Sequence, residues 1–284
     1  MTERLKKKVD RAIRLLQAIP TEDGPIEVAY SGGKDSDVCL ELAKMAGINY
    51  RAIYKMTTID PIGTIKHCKD MGVEIRRPEQ TFLQLIEKRG KPSRFRRFCC
   101  GVLKEYPILP RAIMGVRADE STARAKRYHE PEECRIYKKM KGKPKVRAYY
   151  PILDWTLEDV AEFIEERGIK CAPVYYDEQG KFHPERRLGC IGCPLASQTK
   201  QIEQWKQYPQ LLNLIIKRIQ RYYNNRGGGK ISEDVFKRNA WNLMYSELFC
   251  KNSEDYIKKT TGMFPLEQTP EEFMRDYFRI KKNE

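Results

Sequence analysis

An α/β fold, a doubly wound and mostly parallel sheet with a C-terminal helical appendage, is what this sequence predicts. The first observation behind it is the stretch 26–45. The apolar run Ile26-Glu27-Val28-Ala29-Tyr30 passes through Ser31-Gly32-Gly33-Lys34-Asp35-Ser36 into Val38-Cys39-Leu40-Glu41-Leu42-Ala43-Lys44-Met45, whose apolar residues fall at helical spacing. That is strand, glycine loop and helix. The second is that further short strand-like runs alternate with helical stretches, as parallel strands joined by helical crossovers require. The third is a change of character near residue 200, beyond which only helical patterns follow.

The elements follow in order. Leu5, Val9, Ile13, Leu16 and Ile19 form the apolar stripe of a first helix with a basic outer face, expected to pack on the sheet. Residues 21–25 turn into the first strand. Gly47 ends the helix behind the glycine loop, and Tyr50-Arg51-Ala52-Ile53-Tyr54 is the second strand. Thr57-Thr58-Ile59-Asp60-Pro61 turns into a helix ending near Asp70, and Gly72-Val73-Glu74-Ile75 is a third strand. Residues 88–97 are a basic loop holding Phe95, with Phe98 just after it. It reads either as a track for a nucleic-acid backbone or as a solvated basic face. Ala112-Ile113-Met114-Gly115-Val116 is a fourth strand, residues 130–146 a polar, basic loop or hairpin, and Tyr149-Tyr150-Pro151-Ile152 the next apolar run. Thr156, with Asp159 three residues on, caps a helix that reaches Arg167 and closes at Gly168. Residues 170–175 read as extended and 189–194 as a knuckle-like turn. One long helix spans 201–223, a flexible break 224–230 and another helix 235–249. A last helix starts at Thr269-Pro270, with proline in its first position. The expected domains are an N-terminal helix over 1–22, a nucleotide-binding domain with the cysteine cluster over 23–199, and a helical region over 200–284.

A length of 284 residues suits one α/β domain plus an appendage, and 40% hydrophobic residues with three Trp support a core. The net charge of +15 favours a polyanionic partner such as nucleic acid, or else serves solubility and the capture of an anionic nucleotide. No run approaches the ~18 apolar residues of a membrane span, and no apolar signal-peptide core follows Met1-Thr2-Glu3-Arg4-Leu5-Lys6-Lys7-Lys8. A cytoplasmic protein is expected. Nine cysteines in such a chain read as metal or redox groups rather than disulfides.

The glycine loop carries the first chemistry. Two adjacent glycines let backbone approach an anion closely, and the helix start behind them offers unpaired N–H groups and a positive dipole end. Ser31, Ser36 and Lys34 add donors and charge, so the loop suits phosphate or sulfate; a plain strand-to-helix turn is the alternative. The spacing is neither a Walker A loop nor a dinucleotide fingerprint. Ligands of such sheets sit beyond the carboxyl ends of the strands. Residues 57–60 therefore either line an adenosine pocket or form an ordinary turn with Asp60 as helix cap. Cys99-Cys100 and Cys190-x-x-Cys193 supply four thiols in two close pairs, suited to a 4Fe–4S cluster or to zinc. Adjacent cysteines diverge, which fits neighbouring irons better than one tetrahedral ion; zinc and unliganded thiols are the alternatives. Lys104 reads as a cation beside the cluster. Cys39, Cys68, Cys134 and Cys171 read as structural, and Cys250 as buried or reactive.

Over residues 26–195 the chain resembles the phosphoadenosine-phosphosulfate (PAPS) reductase family within the PP-loop ATP pyrophosphatase superfamily. The motifs that carry the resemblance begin with Ser31 to Ser36 and Cys99-Cys100 with Lys104. They continue with Gly115-Val116-Arg117, Glu120-Ser121 and Arg124, then Pro151-Ile152-Leu153-Asp154-Trp155-Thr156 with Asp159-Val160, and end with Cys190-x-x-Cys193. The resemblance implies an adenine nucleotide alpha-hydrolase-like fold that binds ATP through Ser31, Gly32, Gly33, Lys34, Asp35, Ser36, Asp60, Arg117, Glu120 and Ser121. Lys34 would neutralise the β and γ phosphates, and Mg²⁺ would be held by the phosphates and Asp35. Arg117 and Arg124 would clamp phosphate oxygens, with Glu120 orienting these arginines. Lys34, Asp35, Arg117 and Arg124 are thus the implied catalytic residues, and Cys99, Cys100, Cys190 and Cys193 the ligands of a 4Fe–4S cluster.

Two departures point to one branch. The reductases' C-terminal Glu-Cys-Gly-Leu/Ile-His segment is missing: Glu247-Leu248-Phe249-Cys250 is its poor counterpart, and no histidine follows His183. The glycine loop is also the form seen in members that cleave ATP. The implied function is α-phosphate chemistry with pyrophosphate release in sulfur transfer to a nucleic acid. This is similar to the ATP pyrophosphatase components of DNA phosphorothioation systems, with a cysteine desulfurase as implied sulfur donor. An adenosine-phosphosulfate (APS) or PAPS reductase using Cys250 or an external thiol, and a non-catalytic nucleic-acid-binding subunit, are the alternatives. ATP sulfurylase small subunits share the loop and the arginine segment but lack the paired cysteines.

Overall fold

The computed structural model describes residues 1–20, 23–104, 107–136, 145–225, 239–261 and 267–281. Its sheet has six strands, β1 (Ile26–Tyr30), β2 (Tyr50–Lys55), β3 (Glu74–Arg76), β4 (Arg111–Ile113), β5 (Glu132–Ile136) and β6 (Lys145–Tyr149). They lie in the order β3-β2-β1-β4-β6-β5, and every pair is parallel except the edge pair β5–β6. The order runs outward one way from β1 to β3 and the other way from β4. The carboxyl ends of β1 and β4 therefore flank a topological switch point, where such sheets bind ligands.

The chain divides into two compact units, Met1–Pro78 with Leu103–Gly189, and Glu79–Val102 with Cys190–Glu284. The sheet belongs to the first, together with α1 (Glu3–Gln17), α2 (Lys34–Met45), α3 (Thr64–Asp70), α6 (Thr122–Arg127) and α7 (Leu157–Arg167). Its core includes Ile26 and Val28 of β1, Val38 and Leu42 of α2, and Trp155 edge-on to Phe163, ring centres 5.4 Å apart. The first helix buries Leu5, Val9, Ala12 and Leu16. It packs chiefly on α2 rather than on the sheet, because α2 already covers β1.

The second unit holds α4 (Phe82–Arg89) and α8 (Gln198–Gln207), α9 (Pro209–Asn225), α10 (Ala240–Phe249), α11 (Ser253–Thr261) and α12 (Pro270–Phe278). α4, with Phe82, Leu85 and Ile86 buried, packs against α9, with Leu212, Ile215, Ile216 and Ile219 buried. That contact groups residues 79–102 with the C-terminal helices. The short α5 (Phe98–Leu103) begins in this unit. All four cysteines of the two pairs thus belong with the helical unit, not with the glycine loop.

Several elements differ from expectation. The long helix expected over 201–223 is two, because Pro209 lacks an N–H and forces Tyr208 out of helical geometry, at φ −125° and ψ 54°. Residues 173–175 form a 3-10 turn instead of an extended segment, and β4 ends at Ile113. The hairpin reading of residues 130–146 agrees with the antiparallel β5–β6 pair, which runs on to Tyr149; residues 137–144 lie outside the described residues. Parts of three further expectations also fall outside them: the turn at 21–22, the break from 226 on and the helix before 239. Among the described residues no helix is long and apolar enough to cross a membrane.

The cap of α7 is as the sequence predicts. The Thr156 hydroxyl accepts from Asp159 N–H, the Asp159 carboxylate accepts from Thr156 N–H, and Gly168 ends the helix in the left-handed region. Asp159 also clasps α1, with Arg4 at 2.7 Å and Lys8 at 2.6 Å. Burial alone would raise its carboxyl. The hydrogen bonds from Lys8 and Thr156, with the charges of Lys8 and Arg4, outweigh burial and hold it below the ordinary 3.8. A depressed carboxyl contributes stability above its unfolded value and loses it as pH falls through its folded value. Asp159→Asn should therefore cost about 3 kcal/mol at neutral pH, and that gap to the parent should close as urea titrations move well below pH 3.8. An equal gap at both pH values would refute the clasp.

Candidate active site

The glycine loop joins β1 to α2 at the switch point. Gly32 takes φ +76°, and a Cβ there would sit 3.1 Å from both Leu188 Cδ2 and Thr64 Cγ2. Glycine is thus favoured by conformation, and a Cβ would also crowd both neighbours. Gly33 is the N-cap of α2 and offers no side-chain cap bond; of the first N–H groups, that of Lys34 goes to the Tyr175 hydroxyl at 3.2 Å and that of Ser36 to the Gly33 carbonyl at 2.8 Å. The two serines set the loop's shape. Ser36 Oγ donates to the Gly33 carbonyl at 2.7 Å and accepts from Ser31 N–H at 3.2 Å, while Ser31 Oγ accepts from Gly33 N–H at 3.3 Å.

Behind the loop runs a chain of charge. Buried Lys34 donates to Asp35 Oδ2 at 3.0 Å, buried Arg117 to Asp35 Oδ1 at 2.7 Å, and the same arginine to Asp119 at 3.1 Å. Asp35 therefore ties the first turn of α2 to the segment after β4. Gly115 makes the approach possible, since a Cβ on it would lie 2.9 Å from the Asp35 carbonyl oxygen.

A cavity of about 300 Å³ opens at the ends of β1 and β4. Ser31, Ser36, Lys55, Lys104 and Arg124 supply its polar wall, with Tyr30, Met114, Gly115 and Val116 beside them. It joins three cations and two hydroxyls around a space fit for an anion. Of the expected site residues, Ser31, Ser36 and Arg124 line it. Gly32, Gly33, Lys34, Asp35 and Arg117 form the layer behind.

The remaining expected residues take other parts. Asp60 accepts from Thr57 N–H and hydroxyl, Thr58 N–H and the Tyr54 hydroxyl. It braces its own loop and does not cap α3, whose N-cap is Gly63. Ser121 is the N-cap of α6, accepting from Arg124 N–H. Glu120 pairs with Arg124, and the partners of Arg117 are Asp35 and Asp119. Lys104 also lines the cavity.

The cysteine pairs lie in the helical unit. Cys99 and Cys100 stand on α5, and Cys190 and Cys193 close a turn in which Cys193 N–H donates to the Cys190 carbonyl at 3.3 Å. All four are half-buried, and none of the nine cysteines forms a disulfide. A hydrogen bond to Cys100, burial, and the nearness of Cys100 and Cys190 push the Cys99 thiol up. In kind and number the four thiols suit a cluster or zinc. Among the described residues, however, no three His, Cys, Asp or Glu side chains are gathered closely enough to hold a single metal ion. Cys250 is buried, and burial raises its thiol.

Residues 25–196 match the phosphoadenosine phosphosulfate reductase domain. The chain belongs to the phosphoadenosine phosphosulfate reductase domain family. An uncharacterized protein of Methanocaldococcus jannaschii is 26% identical over 254 residues, 84% of this chain and 57% of that protein. Sulfate adenylyltransferase subunit 2 of Rhizobium etli is 24% identical over 208 residues, 63% of this chain and 66% of that one. The chain thus spans a little over half the length of the archaeal relative. Among solved structures, phosphoadenylyl-sulfate reductase from Candida auris, in a phosphate complex, superposes with a TM-score of 0.44 at 12% identity, over 67% of this chain and 96% of that one.

Three features of this reductase-domain chain escape sequence reasoning. The Tyr175 hydroxyl accepts from Lys34 N–H at 3.2 Å and from Leu188 N–H at 3.4 Å, bracing the loop from 141 residues away. Lys55 reaches the cavity wall while held to buried Glu27 at 2.6 Å. Tyr30, Asp37 and His67 form a buried triad, with His67 Nε2 2.9 Å from Asp37 and 2.8 Å from the Tyr30 hydroxyl, to which Asp37 is also bonded. It joins the end of β1 to α2 and α3. Around it Cys39, Cys68 and Cys171 are buried, the structural part expected of them, whereas Cys134 is exposed. Burial, with the charges of Asp37 and Asp60, pushes Cys68 up to about 12.

Proposed function

We propose that this domain binds ATP at the switch-point cavity and activates an acceptor by attack at the α phosphorus, in a sulfur transfer whose acceptor is a nucleic acid. The observation that carries the reading is the cavity itself: Lys55, Lys104, Arg124, Ser31 and Ser36 converge where an intact Ser-Gly-Gly-Lys-Asp-Ser loop starts a helix. In the reaction an acceptor oxygen forms a bond to the α phosphorus, the bond from that phosphorus to the bridging oxygen breaks, and pyrophosphate leaves with the electron pair. The cations and hydroxyls of the wall stabilise the charge that gathers on the phosphate oxygens. Lys34, Asp35 and Arg117 fix the loop from behind. Both oxygens of Asp35 are committed to cations, so a magnesium ion brought with ATP would be held by the phosphates.

Cys99, Cys100, Cys190 and Cys193 would hold the 4Fe–4S cluster, with zinc as the lesser alternative. A cluster there would supply sulfur handling or electron storage. A cysteine desulfurase is the sulfur donor this reading implies. The net charge of +15 and the basic loop at 88–97 support the nucleic-acid partner. The sulfonucleotide reductase reading asks Cys250 to act as nucleophile, and burial with a raised thiol disfavours that.

Competition among ATP with Mg²⁺, APS and PAPS on anaerobically prepared protein tests the proposal. ATP should bind most tightly and release pyrophosphate when an acceptor is present. Preference for APS or PAPS, with sulfite formed, would replace it by the reductase reading.

A further inference from the structure

Residues 88–97 contain Lys88, Arg89, Lys91, Arg94, Arg96 and Arg97 and no acidic residue. At the tip, Ser93 N–H donates to the Arg96 carbonyl at 3.3 Å, and Arg96 N–H donates to the Ser93 carbonyl at 3.2 Å and hydroxyl at 3.1 Å. This closed turn leaves Phe95 wholly exposed, at 101% of its reference area. The loop is held without any help from that ring. Arg94 donates from Nε to the Pro194 carbonyl at 3.1 Å and from its terminal nitrogen to the Ala196 carbonyl at 3.4 Å. Arg96 donates to the Arg89 carbonyl. Arg89 and Arg96 both stand over Phe98, 5.7 Å from its centre.

A phenyl ring displayed in water on a braced turn contributes nothing to the unit's own core, and its strongly basic setting is what points to a partner. The charge around it says which. Lys88, Arg89, Arg94, Arg96 and Arg97 are exposed in the same segment. Cations that follow a phosphate backbone, interleaved with an aromatic face for a base, are how single strands are gripped. A stacked duplex keeps its base faces covered and offers such a ring nothing.

We infer that Phe95 is a base-stacking residue for single-stranded nucleic acid, with the arginines around it holding the adjacent phosphates. This rests on the nucleic-acid reading above and deepens it. The test is titration of the full chain and its Phe95→Ala and Phe95→Trp variants with a dye-labelled single-stranded oligonucleotide, its duplex, and poly-glutamate, over a range of salt. Phe95→Ala should weaken single-strand binding by about 5- to 100-fold with the salt slope unchanged, Phe95→Trp should retain it, and duplex binding should not move. A Phe95→Ala variant that binds the single strand as tightly as the parent sinks the stacking role alone. Parent protein that binds neither nucleic acid sinks the partner reading as well. A loss toward poly-glutamate as large as that toward the oligonucleotide would reassign the ring to an acidic protein partner.

Discussion

Lys34→Ala is expected to lower ATP turnover by about 10²- to 10³-fold, the scale of removing one preorganised charge donor from a site. The residue opens α2 and is almost completely buried, with its ammonium 3.0 Å from Asp35. Arg117 holds the other Asp35 oxygen at 2.7 Å and Asp119 at 3.1 Å. Two cations and two carboxylates therefore balance behind the loop. Removing Lys34 leaves a net negative charge where a triphosphate must approach, so KM for ATP should rise as kcat falls. Asp35→Asn shifts the balance the other way. It should tighten the binding of inorganic phosphate while still lowering kcat, because Lys34 and Arg117 lose the group that orients them. Opposite changes in anion affinity with turnover falling in both are the signature, read by phosphate titration and pyrophosphate release. Turnover within a few-fold of the parent in Lys34→Ala would show that the charge chain plays no part in the chemistry.

The parts of this site legible in the sequence are those built from neighbours in the chain. Strand β1, the glycine loop and α2 announce themselves through residue types at fixed spacing, and so does the Thr156–Asp159 cap. What stayed hidden is made by contacts between distant segments. Nothing near Tyr175 marks it as a brace for Lys34, because the bond depends on a 3-10 turn arriving 141 residues later. Asp37 and His67 read as ordinary helix residues until β1 and α3 bring Tyr30 and the imidazole onto the same carboxylate. Lys104 joins Lys55 and Arg124 on the cavity wall, a grouping of three separate segments. The grouping of residues 79–102 with the C-terminal helices rests likewise on α4 finding α9, a match of two apolar faces that no local pattern encodes. The exposed ring of Phe95 is the reverse case: its basic setting is plain in the sequence, and only its exposure needed the structure.

The turn between Cys190 and Cys193 yields the largest effect expected on stability. Gly192 stands at φ +64°, and a Cβ there would lie 1.8 Å from Cζ2 and 2.3 Å from Cη2 of Trp205. Its N–H donates to Gln204 Oε1 at 2.9 Å, and Trp205 is buried. Gly192→Ala therefore combines a left-handed penalty of about 1–2 kcal/mol with overpacking of about 1–3 kcal/mol, since a rigid indole must move aside. A loss of about 2–5 kcal/mol in urea unfolding is expected. Any iron and labile sulfide found in the parent should fall with it, because the same turn sets the spacing of the two thiols. Gly189→Ala meets open space and has no such φ, so it should be neutral. Trp205→Phe removes the atoms that clash, and the double variant Gly192→Ala/Trp205→Phe should be less destabilised than the two single losses predict together. Cys193→Ala separates metal from packing. It leaves glycine and indole in place, so it should hold near-parental stability while any brown absorption of the anaerobic parent is lost. Should Gly192→Ala unfold with the parent, the indole does not sit against the turn. Should the parent contain zinc and no iron, the turn still serves as a ligand pair, and the cluster gives way to a single ion.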